Sequence, residues 1–170
     1  LYKLVKLLAA RAGNKIDYTK LSSIAGINRQ KMAGYIQLLQ YTYLVYLVKP
    51  FTRNIDKEIS QQPKLYFADT GILNMLAGLQ ISSGQLFENS IAVQLHPLGE
   101  IKYYQKKTGQ EIDFIFNNTM AVEVKETAIE QDKQVLMQRA SGIGLKKQIL
   151  ISRFAAKNGF DGFVWGGNIF

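Results

Sequence analysis

The sequence predicts a mixed α/β fold made of a mainly helical N-terminal domain and a C-terminal domain built on a central mixed sheet. Apolar residues recur at helical spacing through most of the first 40 residues. Residues 101–125 instead alternate with the period of strands. Residues 82–84 form a small, polar, flexible break between these regions. We therefore expect two domains, residues 1–80 and residues 81–170.

The composition is that of a globular protein without disulfides. Apolar residues make up 47% of the 170 residues, and there is no cysteine, which excludes disulfides and cysteine-ligated zinc. No apolar run approaches the ~20 residues that span a bilayer. We therefore expect a cytoplasmic protein.

The charge distribution points to a polyanionic partner. The net charge is +8, and residues 1–80 hold 11 Lys/Arg against 4 Asp/Glu, whereas residues 81–170 hold 10 against 9. A basic module of this size favours DNA as the partner, with solubility alone as the alternative.

The N-terminal domain is typical of a helix-turn-helix followed by two strands. Asp17 and Asn28 can each cap a helix, and Gly26 supplies the tight turn between the two helices. We read residues 50–62 as a polar turn, so that the two strands and this turn complete a winged helix. The predicted elements are helices at residues 1–12, 18–25 and 29–40 and strands at residues 41–48 and 64–68.

Basic and amide side chains of this domain are candidates for DNA contact. Arg29, Gln30 and Lys31 begin the second helix of the motif, where such groups read base edges or bind phosphates. A solvated helix face is the alternative. Arg53 lies near the predicted wing, and Lys106 and Lys107 flank the site described below.

The C-terminal domain is predicted to alternate helices and strands. Asn117 and Asn118 form the turn of a hairpin between two of the strands. The predicted elements are helices at residues 85–96 and 130–140 and strands at residues 101–106, 110–116, 120–125, 147–152 and 162–165.

One strand of this hairpin carries an acid in an apolar setting. Side chains alternate between the faces of a strand, so Ile112 and Phe114 are predicted on one face and Asp113 and Ile115 on the other. Asp is disfavoured in strands, so its presence between large apolar residues favours a functional role.

The second strand of the hairpin supplies two more charged groups, Glu123 and Lys125, which share one face. With Asp113 they would form a single surface, where two carboxylates bind Mg²⁺ or Mn²⁺ and lysine contacts water and phosphate. Lys125 can orient the nucleophile, or act as general base if burial lowers its pKa. Glu88, on the preceding helix, can add a third carboxylate. A structural cluster of ion pairs is the alternative.

The chain resembles the C-terminal module of unknown function that follows an AAA-type ATPase domain in bacterial and archaeal proteins. Its likeness spans nearly the whole sequence and rests on residues 50–54, 65–71, 86–89, 102–104, 109–114 and 122–125.

This resemblance implies a winged helix joined to a PD-(D/E)XK restriction-endonuclease-like α/β/α domain. The catalytic roles would fall on Glu88, Asp113, Glu123 and Lys125, with the metal held by the three acids. Ile112 stands where the motif has proline. The resemblance also implies an ATPase domain as partner, but no Gly-x-x-x-x-Gly-Lys-[Ser/Thr] motif occurs in these residues.

Three functions are compatible with these patterns. The first is a Mg²⁺-dependent, DNA-cleaving domain of the ATPase-type protein that the resemblance implies. Because the chain begins at Leu1 rather than Met, we expect it to be a fragment of something longer. The second is a non-catalytic DNA- or protein-binding module that regulates the ATPase. The third is a winged-helix regulator with a ligand-sensing domain, for which no motif is present.

Overall fold

The computed structural model describes residues 1–52, 54–106, 108–167 and 169. These residues form two compact units, one of Leu1–Lys49 and Ser60–Val93 and the other of Pro50–Ile59 and Gln94–Phe170. The boundary predicted between residues 80 and 81 falls inside the first unit, which continues to Val93.

The fold is mixed α/β, as predicted. Within the described ranges, no helix combines the length and the apolar character that a membrane span requires. The helices are α1 (Tyr2–Ala9), α2 (Tyr18–Ala25), α3 (Arg29–Tyr41), α4 (Ile55–Ser60), α5 (Thr70–Ala77), α6 (Ser83–Leu95) and α7 (Glu130–Gly142). The strands are β1 (Val45–Pro50), β2 (Lys64–Phe67), β3 (Ile101–Gln105), β4 (Glu111–Phe116), β5 (Met120–Thr127), β6 (Lys147–Phe154) and β7 (Val164–Trp165).

The capping predictions in the first unit are confirmed. Asp17 Oδ1 accepts the N–H of Lys20 at 3.0 Å, and Asn28 Oδ1 accepts that of Lys31 at 2.8 Å, so each acceptor satisfies a free donor at its helix start. Gly26 ends α2 in the left-handed conformation, with φ of 66°. The turn between α2 and α3 is therefore set by local chemistry.

The segment after α3 differs from the prediction in two places. The strand predicted from residue 41 begins only at Val45, because α3 continues through Tyr41 and Tyr43 adopts φ of 56°. The predicted turn at residues 50–62 contains α4, whose acidic residues Asp56 and Glu58 favour a helix start. β1 and β2 pair antiparallel.

The second unit contains a sheet in the order β3-β4-β5-β6-β7. β3, β4 and β5 pair antiparallel, and β5, β6 and β7 pair parallel, which confirms the predicted mixed character of this sheet. Asn117 and Asn118 form the β4–β5 turn with φ of 48° and 58°, as their tolerance of the left-handed region predicts.

Helix α7 connects the parallel strands β5 and β6 and covers one face of this sheet. Leu136 and Ala140 of α7 pack there against apolar side chains of three strands. This helix-covered face is called the α7 face below. The strand residues in its core cluster are Ile112, Ile115, Ala121 and Leu150.

A β-bulge interrupts strand β4. Lys102 pairs with Ile115 and Tyr104 pairs with Ile112, so two residues of β4, Asp113 and Phe114, stand opposite a single residue of β3. The prediction that Ile112 and Ile115 lie on opposite faces is wrong, since both pack in one cluster on the α7 face. The extra residue reverses the alternation and changes the direction of the side chains next to it.

Candidate carboxylate–lysine site

Asp113 contacts the strand that carries the other charged residues. Its Oδ2 accepts the backbone N–H of Val124 at 2.8 Å. Backbone pairing between β4 and β5 runs from Phe116 to Phe114 and ends there. Beyond that point, the Asp113 carboxylate replaces a backbone carbonyl as the acceptor for β5. The Asp113 side chain therefore binds β5 between Glu123 and Lys125.

Glu123 lies on the α7 face of β5 and is only 6% exposed. Its Oε1 is 2.8 Å from Lys125 Nζ and 3.7 Å from Arg139 Nη1. Its Oε2 is buried and has no hydrogen-bond partner among the residues that the structure describes. A buried carboxylate oxygen without a partner is costly, and it suits an oxygen that binds a cation.

The ionisation of Glu123 is shifted by its surroundings. Burial raises its pKa from the usual 4.5 to about 7, and the negative charge of Asp113 acts in the same direction. The neighbouring cations Lys125 and Arg139 act in the opposite direction without cancelling these effects. Glu123 therefore changes its protonation state near neutral pH.

Lys125 stays a cation at neutral pH. Burial by itself would lower its pKa, but the charge and hydrogen bond of Glu123, followed by the charge of Asp113, raise the pKa above its usual value. The condition set for a general-base role, a Lys125 pKa lowered by burial, is therefore not met. A protonated lysine can instead donate to a phosphate oxygen or a water.

Arg139 is a site residue that the sequence reasoning missed. Its Nη1 donates to the carbonyl oxygen of Glu111 at 2.7 Å and lies 3.7 Å from Glu123 Oε1. The sequence offered one signal for it: Arg139 is three residues after Leu136 and next to Ala140, and both of these are buried against the sheet. Arg139 therefore connects α7 to both strands of the hairpin.

Glu88 lies in the first unit, within a largely buried polar group. It accepts the hydroxyl of Tyr66 at 2.6 Å and lies 3.7 Å from Lys64 Nζ, which belongs to a side chain buried in β2. The adjacent Asn89 binds both the N–H and the C=O of Phe67, as a strand neighbour would. The catalytic and metal-binding roles of Glu88 stay predictions.

The described residues contain no group of three or more acidic, histidine or cysteine side chains placed to hold a metal. A cation at Asp113 and Glu123 would thus rely on two carboxylates. That number fits Mg²⁺, which keeps several waters and commonly uses one or two carboxylates together with substrate phosphates.

The predicted DNA-contact residues are exposed where they are described. Arg29, Gln30 and Lys31 lie in the first turn of α3, and Lys106 follows β3. Their contact with DNA stays a prediction. The predicted contacts Arg53 and Lys107 lie outside the described residues.

Comparison with known proteins relates the first half of the chain to a family. Residues 1–83 match the sequence profile of a family described as Domain of unknown function (DUF8612). No curated protein and no solved structure matches the chain. The matched segment ends before Asp113, Glu123 and Lys125, so this family description carries no information on their chemistry.

Proposed function

We propose that the chain is a DNA-interacting module with a metal-dependent, nuclease-like site for phosphodiester hydrolysis. The observation that carries the proposal is the buried, unpartnered Oε2 of Glu123, beside the Asp113 carboxylate and the protonated Lys125. Asp113 and Glu123 would hold Mg²⁺ or Mn²⁺.

The electrostatics of the two acids support a cation there. Glu123 and Asp113 repel each other strongly enough to add to the raised pKa of Glu123. Two neighbouring carboxylates that raise each other's pKa are stabilised in ionised form by an added positive charge. When bound, a divalent cation supplies Lewis-acid stabilisation of the phosphate and lowers the pKa of its water.

Lys125 would act as a fixed positive charge. Its side chain is partly exposed, and its Nζ hydrogen-bonds Glu123 Oε1 at 2.8 Å. From this position it can donate to a phosphate oxygen or orient a water. Charge-assisted contacts of this kind stabilise the charge that develops in phosphoryl transfer.

DNA contact would come from exposed basic and amide groups. Arg29, Gln30 and Lys31 at the start of α3 can read base edges or bind phosphates. The charge excess of residues 1–80 supports a polyanionic partner.

The test is a cleavage assay on plasmid, linear and branched DNA with Mg²⁺, Mn²⁺ or EDTA. Asp113→Asn, Glu123→Gln and Lys125→Ala are expected to lose cleavage. Glu126→Gln is the matched control, because Glu126 is a neighbouring carboxylate on β5 that pairs with Arg153. Metal-dependent cleavage that persists in the Lys125→Ala protein would refute the mechanism.

A second candidate is a non-catalytic DNA- or protein-binding module that regulates the ATPase domain implied by the resemblance. It is favoured by the two cations, Lys125 and Arg139, that already face Glu123 Oε1. The cluster would then stabilise the packing of α7 on the sheet. Mn²⁺ titration followed by electron paramagnetic resonance separates the two: the catalytic candidate requires binding that Asp113→Asn weakens, and the structural candidate requires none.

A further inference from the structure

A row of side chains crosses the sheet from the candidate site to β7. Lys125 pairs in parallel register with Ser152, and Ser152 pairs with Trp165. Parallel register partners point to the same face, so these side chains share the α7 face with Glu123. Neighbouring strands lie about 4.8 Å apart, which places Trp165 roughly 10 Å from Lys125 across the sheet.

Trp165 is exposed to an unusual degree for a tryptophan. The residue is 52% exposed, although this residue type is generally well buried. Phe163 contacts it edge to face, with the ring centroids 5.0 Å apart and the planes at 82°. Trp165 thus combines a ring contact with a large exposed area in the row that begins at Lys125.

Positive charge lies next to these rings. A Cβ placed on Gly162 would meet the ring of Phe160 at 2.6 Å and Lys133 Nζ at 2.9 Å, so this ammonium lies close to the loop that leads into β7. Phe160 and Phe163 are themselves in ring contact. Two lysines, Lys125 and Lys133, thus lie near a row of three aromatic rings that runs from Phe160 through Phe163 to Trp165.

We propose that Trp165 is a stacking surface for an unpaired base of single-stranded DNA whose backbone passes the Asp113–Glu123–Lys125 site. Aromatic rings beside lysines are the features with which proteins bind single strands, since every base has a face to stack and every phosphate a charge to pair. Paired bases inside a duplex do not offer such a face, because their neighbours are stacked on both sides. The inference rests on the proposed function and specifies its substrate class as single-stranded or unpaired DNA.

Trp165 is also the only tryptophan, so its fluorescence reports on the site directly. A short oligothymidylate, titrated into the full chain in EDTA, is expected to quench this fluorescence. A blunt duplex of the same length is expected to quench it less at equal occupancy, with occupancy measured by the anisotropy of a labelled strand.

Variants then test the contribution of the ring to affinity. Trp165→Ala is expected to weaken single-strand binding about 5- to 150-fold, which corresponds to the loss of one base stack. Trp165→Phe keeps a ring and should lose less affinity for the single strand. This variant also keeps the test possible if the alanine variant does not fold. Met137→Ala is the matched control: Met137, on α7, is 47% exposed and has no ring.

Two results would overturn the inference: equal quenching by strand and duplex, or equal affinity of the Trp165→Phe, Trp165→Ala and Met137→Ala proteins for the strand. Because binding is measured without metal, this failure is distinct from that of the hydrolytic proposal. Cleavage that depends on Asp113 with no effect of Trp165 would leave only the hydrolytic proposal standing.

Discussion

The Asp113 carboxylate accepts the backbone N–H of Val124 at 2.8 Å, and this bond joins the bulged strand to the strand of Glu123 and Lys125. The bond replaces the backbone pairing that stops at Phe114. One side chain thereby keeps two strands together and places its own charge beside Glu123. Strand pairing depends on this carboxylate, and so would the proposed chemistry, so substitutions that keep the hydrogen bond but remove the charge can separate the two.

Substitution of Asp113 is expected to separate hydrogen bonding from charge. Asp113→Asn retains an acceptor for Val124 N–H, whereas Asp113→Ala leaves that donor unpaired, at a cost of about 1–3 kcal/mol. Urea unfolding followed by Trp165 fluorescence measures the difference. If the alanine variant is as stable as the asparagine variant, the hydrogen bond from Val124 N–H to Asp113 Oδ2 does not stabilise the fold.

The raised pKa of Glu123 predicts a pH-dependent stability. The folded state holds a proton at this site up to about pH 7, whereas the unfolded chain releases it near 4.5. The contribution of this proton to the free energy of unfolding is therefore fully present below pH 4.5. It is lost as pH rises through 7, and the total loss is roughly 3 kcal/mol.

Glu123→Gln removes this titration. We expect the urea midpoint of the variant to change less between pH 5 and pH 8 than that of the unmodified protein. Glu126→Gln is the control and should keep the original profile. Parallel profiles for the Glu123→Gln and unmodified proteins would contradict the raised pKa.

The local elements were predictable because their signals are local. The caps at Asp17 and Asn28 and the turn at Asn117–Asn118 depend only on side chains within a few residues. Helix α4 was not predicted, because its acidic first turn was interpreted as part of a polar turn. These cases show where local chemistry decides the backbone.

The site was predictable only in part, because its geometry depends on distant pairing. Strand alternation put Glu123 and Lys125 on one face, and the ion pair between them agrees. The bulge at Asp113 follows from pairing with β3, which no periodicity within β4 reveals. Arg139 lies 16 residues beyond Glu123 in the sequence and meets it only once α7 packs on the sheet.

Arg139 is expected to tune the ionisation of Glu123. Its positive charge lowers the pKa of Glu123 against the larger effect of burial, so Arg139→Ala should raise that pKa further above its usual range. Carbon-13 titration of the Glu carboxyl groups by NMR measures the change. Gln138→Ala, at an exposed neighbouring position, is the control and should leave the titration unchanged.

Loss of the Glu88 charge should destabilise the first unit. Lys64 is only 5% exposed and lies 3.7 Å from Glu88, so Glu88→Gln removes an anion beside a buried ammonium while it keeps an acceptor for Tyr66. Removing one partner of a buried pair costs up to about 3–5 kcal/mol, and this longer, partly exposed contact should fall below that range.

A double-mutant cycle distinguishes this structural role of Glu88 from its predicted metal-binding role. Lys64→Met removes the buried charge, so the combined Lys64→Met, Glu88→Gln protein should recover part of the stability lost in Glu88→Gln alone. Mn²⁺ affinity measured on the same proteins adds the second readout. A structural Glu88 gives recovery of stability with unchanged Mn²⁺ affinity, whereas a metal ligand gives weaker Mn²⁺ binding in both proteins that lack the carboxylate, whatever stands at position 64.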